Sequence, residues 1–429
     1  MKLRTHGKQP RFLLAVLLIA LHADVLADEA AATWPQWRGP HRDGRVAPSR
    51  PWPDRLSDDV LRASWRRPLG PSYSGPIVSD DVVFTTETRE RRFEAASAFD
   101  RRTGALIWEA VWEGAMSVPF FAKANGDWIR ATPAYDGESL FVAGMRDVLV
   151  RIDAKTGRIV WSFDFVEKLG SPPPDFGFVS SPLVVGPHVF VQAGGAFCKV
   201  DKESGSLVWR TLEDGGGMWG SAFSSPILVE AAGRRQILVQ TRERLVGVDP
   251  ETGESLWSQT IPAYRGMNIL TPTVAGDDVF TSAYRGRSLL FRLTNQGGAL
   301  SASQAWSNKA AGYMSTPVVV DGCIYLHLQN QRFTCIDAAT GESRWTTRPF
   351  GKYWSLVANG DRILALDERG DLLLIRANPE RFELLDSRTV ADEPTWAHLA
   401  VCGDEVFVRE LHALTAYQWS EPPADGLQP

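Results

Sequence analysis

The 429-residue sequence has little cysteine, no long apolar run and no excess of basic charge. Its four cysteines, Cys198, Cys323, Cys335 and Cys402, show no CxxC spacing and no accompanying histidine cluster, so zinc and thioredoxin-like chemistry are unsupported. Buried free thiols are the default reading, with a Cys323–Cys335 bridge across one predicted hairpin left open. The leading apolar run, "FLLAVLLIAL", has ten residues, about half of the ~20 that a spanning helix needs. Lys2, Arg4, Lys8 and Arg11 flank it, and Val25 and Ala27 fit the −3 and −1 cleavage positions, so residues 1–27 read as a secretory signal. No cysteine precedes Cys198, which argues against a lipoprotein and for a periplasmic or secreted chain. The formal charge of −5, or −8 without residues 1–27, excludes a general nucleic-acid binder. No serine lies in a GxSxG elbow, and His41, His188, His327, His398 and His412 are scattered, so hydrolase chemistry is unsupported as well. The paired carboxylates Asp58-Asp59, Asp80-Asp81 and Asp277-Asp278 fall at predicted turns, where solvated charge is the ordinary explanation.

What the sequence has in quantity is tryptophan and a recurring phrase. "AFDRRTGALIW" ends at Trp108, and near copies end at Trp161, Trp209, Trp257 and Trp345, with a decayed one at Trp306. The first intervals are 53, 48 and 48 residues, and a period of this size signals a repeat architecture. Each period holds four short runs rich in β-branched and aromatic residues, punctuated by glycine. The segment from Ser180 to Trp209 shows them most clearly. The recurring Asp and Gly are turn chemistry: the carboxylate bonds nearby amides, and glycine takes positive φ without steric cost. The recurring Trp would stay wet on the outer strand of a lone sheet, so it predicts docking on the neighbouring unit, which makes a β-propeller.

Innermost strands starting near Ser74, Ala131, Ser180, Ser224, Leu270, Ser315, Ser355 and Trp396 count eight blades. The eighth has only three strands by Trp419, and "LRASWRRPL", with its own Trp65, is the candidate to close the ring. The division expected is a signal at 1–27, a wrapping arm at 28–60, the propeller at 61–419 and a tail at 420–429.

The phrase AxDxxTGxxxW resembles the tryptophan-docking motif of the quinoprotein-dehydrogenase-like propellers, whose repeats are named after pyrroloquinoline quinone (PQQ). The resemblance covers roughly residues 65–419. "WPQWRGPHRDG", "STPVVVDGCIY" and "VFVRELHALTAY" are similar to segments of secreted bacterial PQQ-repeat proteins, related to the propeller lipoprotein of the outer-membrane β-barrel assembly machinery. That relationship implies a non-catalytic, monomeric scaffold with an unidentified protein or glycan partner in the envelope and no cofactor. The alternative it implies is a PQQ- and calcium-dependent alcohol or sugar dehydrogenase. Family enzymes of that kind carry an adjacent-cysteine disulfide, and this sequence has no adjacent cysteines.

A propeller's ligand site lies at the funnel mouth, where the loops entering the innermost strands converge. Reading before each strand in turn selects Tyr73, then Trp128 and Arg130, then Phe178 and Trp219. The later blades supply Arg265, Asn268 and Tyr313, then Lys352, Tyr353 and Trp354, and finally Trp396. Such a ring of aromatics and cations suits a planar anion, a sugar or an acidic peptide. It also suits a simple plug of the channel. A long connection after Trp108, containing Trp112, Phe120, Phe121 and Trp128, reads as a packed flap or partner surface.

Overall fold

A sheet buried on both faces needs near-continuous apolar strands, and the repeats supply them. In the third repeat, strands Leu183–Val185, His188–Ala193, Ala196–Asp201 and Leu207–Thr211 pair antiparallel in sequence order. The two middle strands are almost wholly buried, while the last is only partly so. Between the last two strands, Asp201 Oδ1 accepts from the amide and the hydroxyl of Ser204, both at 2.8 Å. Asp100 with Thr103 and Asp153 with Thr156 repeat the arrangement.

The computed structural model describes residues 33–46, 50–214 and 222–420. Within them lie eight four-stranded antiparallel sheets, the blades of an eight-bladed β-propeller. The eighth blade is completed from the other end of the chain: Leu61–Pro68 pairs with Ala413–Trp419, setting Leu61 opposite Trp419 and Arg67 opposite Leu414. This pairing closes the ring and covers what would be an exposed sheet edge. The expected signal segment, and the tail beyond Ser420, lie outside the described residues. No helix among the described residues is long and apolar enough to cross a membrane.

Tryptophans join blade to blade. Trp65, Trp108 and Trp161 each donate Nε1–H to a turn carbonyl of the following blade, from Arg101, Ala154 and Lys202, at 2.8–3.0 Å. Trp209, Trp306 and Trp345 do the same to Glu251, Ala338 and Asn378. The turn glycines have a second reason to be glycine: a Cβ on Gly104 or Gly341 would come within 2.6 or 2.5 Å of the Trp65 or Trp306 ring. Trp257 departs from the expected docking. It is buried between the fourth and fifth blades, but its Nε1 donates to Gln236 Oε1 of its own blade at 2.6 Å. The fifth blade has replaced the Asp-Thr-Gly turn with a long hairpin, Ser288–Gln296 and Ala299–Asn308, so the turn carbonyl used elsewhere is missing. All four cysteines are buried free thiols, Cys323 and Cys335 included.

The N-terminal arm corrects the wrapping expectation. Residues 50–60 lie against the last two blades, where Trp52 stacks on Trp419 and Asp54 accepts from Arg362 Nε at 2.7 Å. Residues 34–46 instead cross the ring's axis. Trp34 bridges Val78 in blade one, Pro35 O accepts from Tyr135 N in blade two, and Arg45 bridges Ala358 in blade seven. Arg38 donates to Thr316 O and Pro317 O, while Arg42 reaches Ser181 O, Pro182 O and Pro226 O. The physical reason is polar satisfaction. Carbonyls at the inner ends of the blades face the axis without a strand partner, and each guanidinium brings five N–H donors. Burial pushes the two arginines down to about 10 and about 9, so both remain cations at neutral pH. Composition alone, rich in Pro, Trp and Arg without periodicity, does not distinguish a plug from a surface wrap.

Candidate functional site

On the plug lies a cavity of about 420 Å³, at the face where the loops enter the innermost strands. Its base contains Trp37 of the arm and the hydroxyls of Ser181, Ser225, Thr271 and Thr316. These hydroxyls belong to a belt in which the backbone of one blade donates to the Ser or Thr of the next. Thr132 N donates to Ser181 Oγ and Ser181 N to Ser225 Oγ at 3.0 Å, and Thr271 N donates to Thr316 Oγ1 at 3.1 Å. Thr271 Oγ1 accepts from Trp37 Nε1 at 2.9 Å.

Aromatic rings form the wall in three contiguous groups. Tyr353, Trp396 and Tyr73 stack at 6.1 and 5.5 Å. Phe121, Phe176 and Phe223 follow at 6.3 and 5.7 Å, and the Arg242 guanidinium lies 4.7 Å over the Phe223 ring. Tyr264, Tyr284 and Tyr313 complete the circuit at 6.2 and 4.3 Å. Arg130, Arg242 and Arg265 also line the cavity, and among the described residues no Asp or Glu does. Burial lowers Arg130 to about 10, and its Nε and Nη2 are held by Trp128 O and Gly126 O at 3.2 and 3.0 Å. Arg242 donates to Arg265 O at 2.7 Å and faces Asp214, which burial pushes up to about 6.

Two buried carboxyls tie the blades together near the same turns. Glu94 accepts from Met145 N at 2.8 Å and Trp112 Nε1 at 3.0 Å, and Asp147 accepts from Gly194 N at 2.7 Å. Burial pushes each up to about 7.

Of the residues expected at the funnel, Tyr73, Arg130, Arg265, Tyr313, Tyr353 and Trp396 line this cavity. Phe178 and Asn268 do not: Phe178 is in the core against Phe165, and Asn268 Nδ2 bonds Arg242 O and Ile261 O. Trp354 is fully buried in the seventh blade, Lys352 is solvent-exposed, and Trp128 contributes its carbonyl rather than its ring. Trp219 lies outside the described residues.

Side-chain alternation explains the misplacements. In the extended entry to the second through sixth blades, the residue two before the Ser or Thr that precedes proline faces the cavity: Arg130, Val179, Phe223, Ile269 and Met314. The residue between points into the blade and is buried, as at Ala131, Ser180 and Leu270. Phe178 and Asn268, one step further back, share the buried parity. Tyr313 is the exception, lining the cavity from that parity. Counting back from the Ser/Thr-Pro pairs would therefore have selected Phe223. Trp37, Phe176, Tyr264 and Tyr284 come from the arm and from loops with no periodic signal.

A ring of eight blades, seven of them with a tryptophan on the outer strand, its axis closed and its mouth aromatic and cationic, defines a PQQ-repeat propeller. Residues 92–347 match the family model described as outer membrane protein assembly factor BamB, and the chain belongs to that family. The outer membrane protein assembly factor BamB of Yersinia pestis is 24% identical over 260 residues, which span 57% of this chain and 63% of that protein. Quinoprotein alcohol dehydrogenase PedH of Pseudomonas putida is 28% identical over 141 residues, 31% of this chain and 22% of its own length. The crystal structure of BamB from Moraxella catarrhalis superposes with a TM-score of 0.62 at 15% identity, covering 85% of this chain and 99% of that one, a likeness of fold.

The quinone cofactor of the dehydrogenase relatives can be tested against the residues present. Among the described residues, no carboxylate lines the cavity to hold calcium and no group of three His, Cys, Asp or Glu is suited to a metal. Cys198, Cys323, Cys335 and Cys402 are strand residues, none of them in the cavity lining. The residues do not fit a calcium-bound quinone.

Proposed function

We propose that this chain is an exported, non-catalytic binding module in outer-membrane protein assembly, which receives a partner at the funnel mouth. The observation that carries the reading is the cavity itself: aromatic walls, three arginines and no carboxylate, set on an axis that the chain's own arm has filled. Such a site has the apolar area and fixed donors of a binding pocket, and it lacks a paired acid and base for catalysis. Membership of the assembly-factor family supports the process, and the expected signal supports a periplasmic location. The dehydrogenase reading rests on matches that cover 31–53% of the chain, and the lining residues do not favour it.

The test is cross-linking of the tagged protein in its native envelope, followed by identification of partners and measurement of outer-membrane β-barrel levels in a deletion strain. Specific cross-links to the β-barrel assembly machinery and lowered barrel levels are expected. Unchanged barrel levels without such cross-links, or dye-linked alcohol oxidation by protein supplied with PQQ and calcium, would overturn the proposal.

A further inference from the structure

The polarity of the cavity floor narrows the ligand. Ser181, Ser225 and Thr316 each accept from a backbone N–H, and Thr271 accepts from the Trp37 indole. An N–H can only donate, so one lone pair of each hydroxyl is taken and its own proton is directed elsewhere. None of these four protons has an acceptor among the described residues, so the base presents O–H donors. Arginines add N–H donors above it, and Asn125 is the one carboxamide in the lining. The Ser, Thr and Tyr hydroxyls of the lining can donate or accept, whereas the arginines only donate, so what sets this wall apart is positive charge with no Asp or Glu among the described lining residues.

A sugar could pair its O–H groups with these hydroxyls, but it brings no negative charge to meet the arginines. A carboxylate brings only acceptors and meets the donors on their terms. The apolar surface, moreover, does not stop at the cavity. Phe120 and Phe121, on the short 3-10 turn Phe120–Asn125, are 85% and 53% exposed, and Phe121 continues inward to Phe176. A ligand that fills the cavity and covers this lip extends into solvent, as a loop of a larger partner does and an enclosed small molecule does not. The chain's formal charge is −5, so the arginines are a local reversal of sign.

We infer that the occupant of the funnel is a protein segment carrying carboxylate side chains between aromatic ones, with a carboxylate toward the hydroxyl floor and aromatic rings against Phe121 and the tyrosine wall. This rests on the binding-module reading and specifies its partner.

The probe is an end-capped, unlabelled nonapeptide alternating Phe with Asp and Glu, titrated calorimetrically into the full-length processed protein. Saturable binding is expected, with its Asn/Gln counterpart weaker by about tenfold or more and clear weakening at high salt. Arg265→Gln and Phe121→Ser alter exposed side chains, so each should retain the thermal midpoint while weakening the peptide about three- to tenfold. Equal affinity for the neutral peptide would overturn the inference. So would tighter binding of an N-acetylglucosamine oligomer or of PQQ, or the absence of peptide heat from folded protein. Purified components suffice here, so loss of peptide binding alongside intact envelope cross-links rejects only the ligand class. The converse result rejects the assembly role and leaves the ligand class standing.

Discussion

Replacing Arg42 by Ala tests whether the arm is a structural part of the ring or an ornament in its channel. Arg42 donates to Pro226 O at 2.8 Å, Ser181 O at 3.2 Å and Pro182 O, and its Nε donates to Gln36 Oε1 at 2.9 Å. Truncation removes donors from carbonyls on two blades that water would reach only by opening the plug. Each buried polar group left without a partner costs ~1–3 kcal/mol, offset by no longer burying a guanidinium, which itself costs several kcal/mol. The net expectation is a loss of ~3–5 kcal/mol, the range seen when one side of a buried charged network is removed. Arg42→Lys keeps the charge but concentrates it at one point, which cannot span blades three and four as a planar fork does, so a loss of ~1–2 kcal/mol is expected. The exposed Arg265→Ala should cost under ~0.5 kcal/mol. The assay is urea unfolding followed by tryptophan fluorescence, comparing midpoints, because a ring of this size can unfold through intermediates. If Arg42→Ala and Arg265→Ala shift the midpoint equally, or Arg42→Lys is the worst of the three, the plug argument fails.

Deleting residues 28–60 removes the plug and the Trp52 contact while keeping the closing strand, so the ring should form but melt several degrees lower; deleting 28–70 should aggregate, and indistinguishable melting curves would contradict both roles. Trp209→Ala removes an indole packed on Phe190 and Phe197, each at 5.7 Å, and bonded to Glu251 O. A loss of ~3–5 kcal/mol is expected by chemical denaturation, and a midpoint within error of the parent would refute the docking role. Glu94 and Asp147 have folded-state values raised to about 7, so the folded protein holds protons that the unfolded chain releases near pH 4 to 5. Their stabilisation is full below that range and is lost as pH rises through 7. His327 and His398, which burial lowers to about 4 and about 3, act oppositely below pH 6.5, so the carboxyl effect emerges between pH 6.5 and 8. Glu94→Gln should flatten the fall in thermal midpoint across that interval, and an unchanged slope would show that Glu94 does not titrate there.

The repeating unit was legible from the chain because its causes are local. Asp, Thr and Gly at fixed offsets make a turn by their own hydrogen bonds and φ preference, alternating runs make strands, and a tryptophan on the outer strand of every blade but the seventh demands a neighbour. Closure by Leu61–Pro68 followed from counting, since a blade short of one strand and a strand without a blade fit each other. Position just before a blade was enough to place Tyr73, Arg130, Arg265, Tyr313, Tyr353 and Trp396 in the lining, and it misplaced Phe178 and Asn268, whose strand parity turns them away from the cavity. Three things were decided by tertiary structure alone. Trp257 turns back to Gln236 because the next blade withdrew its carbonyl, an event about forty residues away in sequence. The arm enters the axis because carbonyls from separate blades converge there, and their convergence exists only once the ring has formed. The hydrogen-bonding state of the cavity floor arises likewise, because each floor hydroxyl takes its N–H from a different blade or from the arm. Neither the count of serines nor their spacing records which lone pair is already used.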